Sequence, residues 1–378
     1  MANPSNTSGT QSQQKRQKIS LRQFFFLIVQ TQIGVGVLTL PYDLQKAAGH
    51  DGWISLLLAS LLLQIVLLFF WLLAKRFPDK DLPQYTEKIL GKWAGKVTNL
   101  FFSIYFIAVA ALVLVLYSRI LKLWILPETP KFVVVFLMIM AGIYMVCCSV
   151  TVMARIYTLL SGLLVMLFIA LLYVLTEIQI VYLLPIGKAG WTNILNGINA
   201  GVLSFLGFII ILFIYPFVQG NDKQKLKTIF FSHWFVLVFY LYTLFVTFGF
   251  FGPEEIKLVP SPVLYSLKAF EFSIVSRLDM FFLSIWVVSV STSFTAYLFM
   301  AGTTFTRILN AKSSKHFFIW SAVLILAVTY IPGEGKEDVE KFGSMILKFG
   351  YLFSGILPFL LFIVALLRRK RTQGSDTK

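Results

Sequence analysis

The chain has 378 residues, of which 58% are hydrophobic and 13% are charged. A soluble domain is nearer half apolar and a quarter charged, so this composition excludes a soluble globular protein and indicates a membrane protein with several spans. The net charge of +16 does not indicate nucleic-acid binding, because the basic residues flank the hydrophobic runs and form no basic domain of their own.

The two ends differ from the middle of the chain. Residues 1–18 are polar and rich in Ser, Gln and Asn, and we expect a disordered cytoplasmic tail without a cleavable signal pattern. Residues 368–378 form a basic tail that we also place in the cytoplasm. Residues 19–367 are predicted to be one transmembrane domain.

Runs of about 20 apolar residues, the length that crosses a bilayer, recur between the two tails. An odd number of spans would place the basic run that begins at Arg368 outside, against the positive-inside rule. We therefore predict an all-α protein with ten spans, at 20–43, 53–74, 97–121, 132–150, 154–176, 193–218, 228–251, 278–306, 316–331 and 342–367.

Span 1 contains Gly34-Val35-Gly36 and, five residues later, Pro41. Glycine and proline disfavour a continuous helix. A broken backbone inside the hydrocarbon of a membrane is tolerated only where protein or a water-lined cavity satisfies its polar groups. We expect one half-helix to end near Ile33, with free carbonyls suited to an ammonium group or a cation. A second would begin near Val37, with free N–H groups suited to a carboxylate. The alternative is that the glycines only allow tight helix packing.

The connection over 76–96 is predicted to form a short amphipathic helix on the cytoplasmic membrane face, where its Lys residues would meet anionic lipid headgroups. Span 3 then carries Tyr105 at about one third of the predicted span. Its ring would either close over a ligand or pack among the many Phe side chains.

Span 6 is also interrupted near its middle, by small residues from Gly201 to Gly207, and Pro216 follows. Interrupted helices at matching positions of two halves indicate an inverted repeat with a central binding site. Because each half has five spans, an odd number, the two halves have opposite orientation in the membrane. The second break is expected to supply ligand-binding groups near Ser204 to Phe208.

The outer loop 252–277 contains three prolines and an apolar stretch from Val263 to Phe270. This stretch is either a helix over the outer vestibule or part of an ordinary surface loop. Span 8 follows with a run of hydroxyl side chains from Ser289 to Thr295. These hydroxyls, Thr292 and Ser293 among them, would bind a ligand or a small cation, or else bond their own helix and its neighbours.

Enzyme chemistry is not indicated. His50, His233 and His316 are far apart in the sequence, and no Cys, His or carboxylate cluster has metal-ligand spacing. We expect no cofactor, no metal and no catalytic residue. The absence of an acidic residue or histidine beside the two breaks disfavours a proton-driven pump and leaves a cation-coupled carrier or a ligand sensor open.

These residues suggest a family. The run from Ile33 to Pro41, followed by Ala47 to Ser55, resembles the spore germination permeases, the B subunits of nutrient-germinant receptors. The segment from Phe77 to Trp93 is similar to that family's first cytoplasmic loop. Phe205 to Phe208, with Tyr215-Pro216-Phe217, is similar to its sixth span.

The resemblance implies a LeuT-like five-plus-five fold of the amino acid–polyamine–organocation superfamily, in the inner membrane of a spore. It implies an A subunit and a C-subunit lipoprotein as partners, and a nutrient ligand that is an amino acid or, in some members, a sugar or nucleoside. By carry-over, Gly34 and Gly36 match the unwound first span, Gly207 matches the sixth, and Tyr105 and Val109 match pocket residues of the third. Many members carry an acid where this chain has Ile209, so the pocket is expected to be more apolar here.

Three hypotheses follow. The first is a nutrient-sensing subunit that binds a small solute between spans 1 and 6 and triggers germination through its partners. The second is a cation-coupled transporter of amino acids or related solutes, and the third is a membrane scaffold with a vestigial pocket. The predicted ligand-binding residues are Gly34, Val35, Gly36, Tyr105, Val109, Ser204, Phe205, Gly207, Phe208, Thr292 and Ser293.

Overall fold

The computed structural model describes residues 18–184, 186–270, 277–333 and 335–370. The two predicted tails lie almost entirely outside these ranges. Within the described residues the chain is built from helices joined by short turns, and the β-structure consists of one bridge between Ile19 and Val218.

The first half of the chain contains the five predicted spans and one additional short helix. Span 1 is divided into two helices, and the short helix is the amphipathic segment predicted between spans 2 and 3. The helices are α1 (Leu21–Gln32), α2 (Gly36–Ala48), α3 (Gly52–Arg76), α4 (Leu82–Leu90), α5 (Lys92–Trp124), α6 (Lys131–Val146) and α7 (Val150–Leu172).

The second half repeats this plan. Span 6 consists of α8 and, after a break, α9 with a 3-10 turn on either side, at Phe208–Ile210 and Tyr215–Phe217. A π-helical turn, Tyr351–Ile356, joins the last two helices within span 10. The helices are α8 (Trp191–Ser204), α9 (Ile211–Ile214), α10 (Asp222–Phe250), α11 (Pro262–Lys268), α12 (Leu278–Ile308), α13 (Lys315–Val328), α14 (Lys336–Gly350) and α15 (Leu357–Leu367). The apolar stretch of the outer loop is therefore a helix, α11.

Six helical segments within the described ranges are long and apolar enough to cross a membrane, and the pair α8 and α9, bent by 50°, makes a seventh. One of the six, Gly36–Arg76, consists of α2 and α3 joined by a 3-10 turn at Gly49–Asp51. The chain reverses direction at this turn, as shown by Gly197 of α8, which lies against both Ala48 and Ser55. The helices α6 and α13 have only 16 and 14 residues. Each predicted span thus corresponds to a helix or a helix pair, while the number of membrane crossings stays a prediction.

Spans 1 and 6 lie side by side and run in opposite directions. Their close contacts show this, because residue numbers rise along one span as they fall along the other. The contacts join Thr31 to Gly207, Gly36 to Ser204 and Ala48 to Gly197. This arrangement places both breaks at the same depth in the bundle, as an inverted repeat requires.

The start of α1 is joined to the end of span 6 by two backbone hydrogen bonds. Ile19 N–H donates to the Phe217 carbonyl at 2.8 Å, and Gln219 N–H donates to the Ile19 carbonyl at 2.9 Å. We call this end of the bundle the N-terminal face and the opposite end the far face. The C-terminal end of α15 lies at the N-terminal face as well, since Arg368 donates to the Ile89 carbonyl of α4 at 2.7 Å.

Candidate ligand-binding site

Span 1 is broken over three residues. Helix α1 ends at Gln32, Ile33 is extended with φ −80° and ψ 93°, and α2 begins at Gly36. A helix end leaves carbonyls without partners, and a helix start leaves N–H groups without partners. The position of this break agrees with the sequence prediction to within one residue on either side. Pro41 lies inside α2, so the glycines alone mark the break.

The carbonyls at the end of α1 accept hydrogen bonds from side chains of α10 and α12. Tyr240 donates to the Gln32 carbonyl at 2.9 Å, and Ser293 donates to the Thr31 carbonyl at 3.0 Å. Farther along the break, the indole N–H of Trp286 donates to the Gly34 carbonyl at 3.2 Å. The carbonyls of Thr31 and Gln32, which we expected to be free for a cation, therefore already lie at hydrogen-bond distance from protein hydroxyls.

Thr292 makes a second connection between α12 and α1. Its hydroxyl lies 3.0 Å from the side-chain oxygen of Gln30 and 2.8 Å from the carbonyl of Ser289 in its own helix. The phenol of Tyr157 in α7 donates to the Thr292 carbonyl. The predicted hydroxyl run of span 8 thus lies at the first break, and its described bonds are to protein groups.

Span 6 breaks immediately after Ser204. Gly207 has φ +119°, a conformation that L side chains rarely adopt, and a Cβ placed on it would lie 2.5 Å from the Thr31 carbonyl oxygen. Only glycine fits here, because the backbone of span 6 passes directly over the backbone of span 1. Tyr240 also contacts this break, since its hydroxyl lies 2.9 Å from the Ser204 carbonyl.

The other two predicted glycines also pack against protein. A Cβ on Gly34 would lie 2.9 Å from Ser293 Oγ, and a Cβ on Gly36 would lie 3.1 Å from Ser204 Cα. Tight packing is thus one function of these glycines. Val35 and Gly36 nevertheless keep partial solvent exposure, whereas the residues just before them are buried.

Gln32 is the feature of this site that the sequence reasoning missed. The side chain is only 2% exposed, and neither its amide nitrogen nor its amide oxygen has a hydrogen-bond partner among the described residues. A buried amide without partners costs about 1–3 kcal/mol, so its presence needs a reason. The signal in the sequence was the polar triplet Gln30-Thr31-Gln32 directly before the glycines of a membrane span.

The first turn of α2, which begins four residues after Gln32 in the sequence, adds hydrogen-bond donors. Its preceding residue, Val35, makes no side-chain cap, so the first N–H groups of a 13-residue helix have no capping side chain. The positive end of the helix dipole therefore lies within four residues of the unpaired Gln32 amide. Together these groups are suited to a ligand with a carboxylate and a separate hydrogen-bonding group.

Tyr105 lies where spans 3, 6 and 10 meet. Its hydroxyl accepts a hydrogen bond from Ser354 at 3.2 Å, and its ring stacks on Phe353 with centroids 5.2 Å apart. A Cβ on Gly350 would contact both the Tyr105 hydroxyl and Leu206 in the span 6 break. Ser354 and Phe353 belong to the π-helical turn, a kind of distortion that is frequent at functional sites.

The remaining predicted residues face other parts of the bundle. The ring of Phe205 packs against His233 and Tyr240 of α10, and the ring of Phe208 packs against Phe70 of α3. Val109 is buried in α5. The structure therefore brings Gly34, Gly36, Ser204, Gly207, Thr292 and Ser293 together at the junction of the two breaks, with Tyr105 beside Leu206.

Comparison with known proteins identifies the family. Residues 18–335 match the family model described as spore germination protein. The chain belongs to the spore germination protein family. Among its relatives in Bacillus subtilis (strain 168), spore germination protein YndE is 25% identical over 357 residues, which cover 93% of this chain and 98% of the relative. Spore germination protein B2 is 25% identical over 94% of this chain and 98% of its own length, and spore germination protein A2 is 25% identical over 94% and 97%.

Two solved structures of transporters share the fold of this family member. One is a substrate-bound, outward-open Na⁺-coupled sialic acid symporter, with a TM-score of 0.66, 14% identity, and coverage of 92% of this chain and 79% of the symporter. The other is MhsT in complex with L-phenylalanine, with a TM-score of 0.66, 15% identity, and coverage of 93% and 90%. The predicted LeuT-like inverted repeat with broken helices 1 and 6 is confirmed, and the chain is a multi-pass membrane protein.

Proposed function

We propose that this chain is the nutrient-sensing membrane subunit of a spore germination receptor, not an enzyme, and that a small solute binds where the two breaks meet. The observation that carries the proposal is the buried, unpartnered amide of Gln32, four residues before the uncapped start of α2. A bound solute would give both groups the partners that they lack in the described part of the chain.

An amino acid suits this junction best. Its carboxylate would bind the N–H groups at the start of α2, and its ammonium group would bind the amide oxygen of Gln32. The second break offers the apolar residues Phe205, Leu206 and Ile209, the last of which stands where an acid is expected from the family resemblance. The described residues at the junction include no acidic side chain, so a solute with no net charge is favoured over a cation.

Signalling would follow from closure of the two breaks around the solute, because a ligand shifts a conformational equilibrium toward the state that it binds more tightly. We further propose, from the family resemblance, that an A subunit and a C-subunit lipoprotein receive this change in the inner membrane of the spore. The N-terminal face would then be the cytoplasmic face, which the basic segments around Lys75, Lys223 and Arg368 support.

Substituting Gln32 tests the site directly. In Gln32→Met, the loss of two unpaired buried polar atoms should raise the stability of the ligand-free protein by about 1 kcal/mol. The same change should abolish stabilisation by the amino acid that stabilises the parent protein most. Melting temperatures of the purified chain in nanodiscs, measured against a panel of amino acids, sugars and nucleosides, give both quantities.

The matched control is Ser321→Ala on α13, which removes a buried hydroxyl that, like the Gln32 amide, has no partner among the described residues. It should leave the ligand response unchanged. Spores that carry Gln32→Met should also fail to germinate on that nutrient although the protein is present. Unchanged ligand stabilisation and unchanged germination in Gln32→Met would remove the proposed site.

A cation-coupled transporter is the second candidate, favoured by the fold that the chain shares with the two transporters. The two functions differ in whether solute crosses the membrane. Uptake of the stabilising solute into vesicles that contain this chain alone, driven by a cation gradient and lost in Gln32→Met, would establish transport. Binding without uptake would support sensing.

A further inference from the structure

A cavity of about 400 Å³ opens at the N-terminal face, away from the junction of the two breaks. Two corners of the bundle enclose it: the turn between α6 and α7, and the turn between α12 and α13. The first corner contributes residues from Val146 to Val150, and the second contributes Arg307 and Lys312 to Lys315. The N-cap of α4, Asp81, lies at the same cavity.

The cavity carries an excess of positive charge. Arg307 donates to Asp81 Oδ2 from Nε at 3.2 Å and from Nη2 at 3.0 Å, so these two charges compensate each other. Lys312 and Lys315 are exposed, and neither has an ion-pair partner among the described residues. Three cationic side chains and one carboxylate thus leave two positive charges uncompensated.

Helix α13 adds N–H donors on the same side. It has 14 residues and begins at Lys315, and its N-cap residue, Ser314, makes no side-chain cap. The two other helices that begin at this cavity differ, because their N-cap side chains accept hydrogen bonds: Ser149 of α7 from Val152 N–H, and Asp81 of α4 from Gln84 N–H. The uncapped start of α13 therefore presents the positive end of its dipole beside two lysines, which is an arrangement suited to phosphate oxygens.

The walls of the cavity are apolar and partly aromatic. Phe213, Phe217, Phe299 and Phe318 line it together with Val146. A small hydrated anion gains nothing from contact with apolar walls. A phosphate attached to an apolar group would instead contact the lysines with its phosphate and the walls with its apolar part.

We propose that this cavity binds a phosphate-bearing anion, held by Lys312, Lys315 and the first N–H groups of α13. The same chemistry belongs to the headgroup of an anionic phospholipid and to a soluble phosphate. This site is separate from the solute site at the two breaks, and it would make the α12–α13 corner responsive to the composition of the membrane or of the adjoining solution.

The inverted repeat supplies an internal comparison. The equivalent corner of the first half, between α5 and α6, borders a cavity of about 150 Å³ at the far face, lined by Arg119, Lys122 and Lys131. There Lys131 donates to the Thr329 carbonyl at 3.0 Å, and Asp338 lies against Gly333, which also lines the cavity. The far-face cavity has less than half the volume, and its Lys131 already bonds a backbone carbonyl, so we assign phosphate binding to the N-terminal face alone.

The test uses the full chain in nanodiscs and the double variant Lys312→Ala/Lys315→Ala. The matched control is Lys223→Ala/Lys227→Ala, which removes two exposed charges from the start of α10 at the same face but outside the cavity. Native mass spectrometry of protein released from phosphatidylglycerol nanodiscs measures retained lipid. In phosphatidylcholine nanodiscs, the melting temperature is measured against inorganic phosphate.

A lipid site predicts that the double variant retains phosphatidylglycerol about ten-fold less than the parent and the control do. A soluble-phosphate site predicts equal lipid retention, with phosphate stabilising the parent and the control but not the double variant. Either result supports the proposal and identifies the source of the phosphate. Equal behaviour of all three proteins in both experiments, with all three folded by size-exclusion chromatography, overturns it.

Discussion

The breaks in spans 1 and 6 occupy equivalent positions in the inverted repeat but have different chemistry. The first break follows three buried polar residues and is held by donors from α10 and α12. The second break is surrounded by apolar residues and depends on the backbone of one glycine, Gly207. The repeat therefore places both breaks at equivalent positions. The first break provides the polar groups, while the second provides a close backbone contact among apolar side chains.

The largest effect is expected at the second break. Gly207→Ala should destabilise the protein by about 3 kcal/mol, because the positive φ and the contact with the Thr31 carbonyl both oppose a Cβ. Melting temperature and yield in detergent measure the effect. The control is Gly162→Ala in α7, where a Cβ meets nothing within 4 Å and should be neutral or stabilising. Equal stability of the two variants would show that the second break does not depend on glycine.

An intermediate effect is expected where the two breaks are joined. Tyr240→Phe removes the hydroxyl that lies 2.9 Å from the carbonyls of both Gln32 and Ser204, and should cost about 1–2 kcal/mol. Tyr242→Phe, two residues along the same helix, removes a single 3.3 Å bond to the Phe168 carbonyl and should cost less. Unfolding of both variants in denaturant gives the difference. A larger loss for Tyr242→Phe would contradict the bridging function of Tyr240.

The smallest effect on stability is expected when one hydroxyl is removed at each break. Ser293→Ala removes a bond between α12 and the Thr31 carbonyl, and should cost about 0.6 kcal/mol, the average for hydrogen bonds between membrane helices. Ser204→Ala removes only a bond to Ala200 in its own helix and should change stability very little. A greater loss from Ser204→Ala in the same unfolding assay would reverse the assignment of polar support to the first break.

Local physics explains which parts of this site the sequence predicted. Both breaks were predicted because glycine weakens a helix wherever it stands, and a break inside a membrane span is costly unless other groups satisfy it. The hydroxyl run of span 8 was recognised for the same reason, since polar side chains are conspicuous in an apolar span. These inferences need only neighbouring residues.

The partners across the bundle were not predictable in this way. The bond from Tyr240 to Gln32 joins residues 208 positions apart, and the bond from Trp286 to Gly34 joins residues 252 positions apart. Nothing in the sequence near Tyr240 distinguishes it from other aromatic residues of α10. The π-helical turn at Tyr351–Ile356 was missed as well, because its partners, among them Tyr105 of span 3 and Asn199 of span 6, belong to other spans. Such features depend on the packed bundle and appear only with coordinates.

The backbone pairing of Ile19 with Phe217 and Gln219 restricts how the protein can move. At the N-terminal face the first half-helix of span 1 is fastened to the last residues of span 6, so neither segment swings outward without the other unless both hydrogen bonds break. A solute path toward this face would thus require either that the two segments move outward together or that these two hydrogen bonds break. At the opposite ends of the two spans, the Asp51 carboxylate accepts hydrogen bonds from the N–H groups of Gly187 at 2.7 Å and Ala189 at 2.8 Å, so this end is held by a side chain where the N-terminal face is held by backbone pairing.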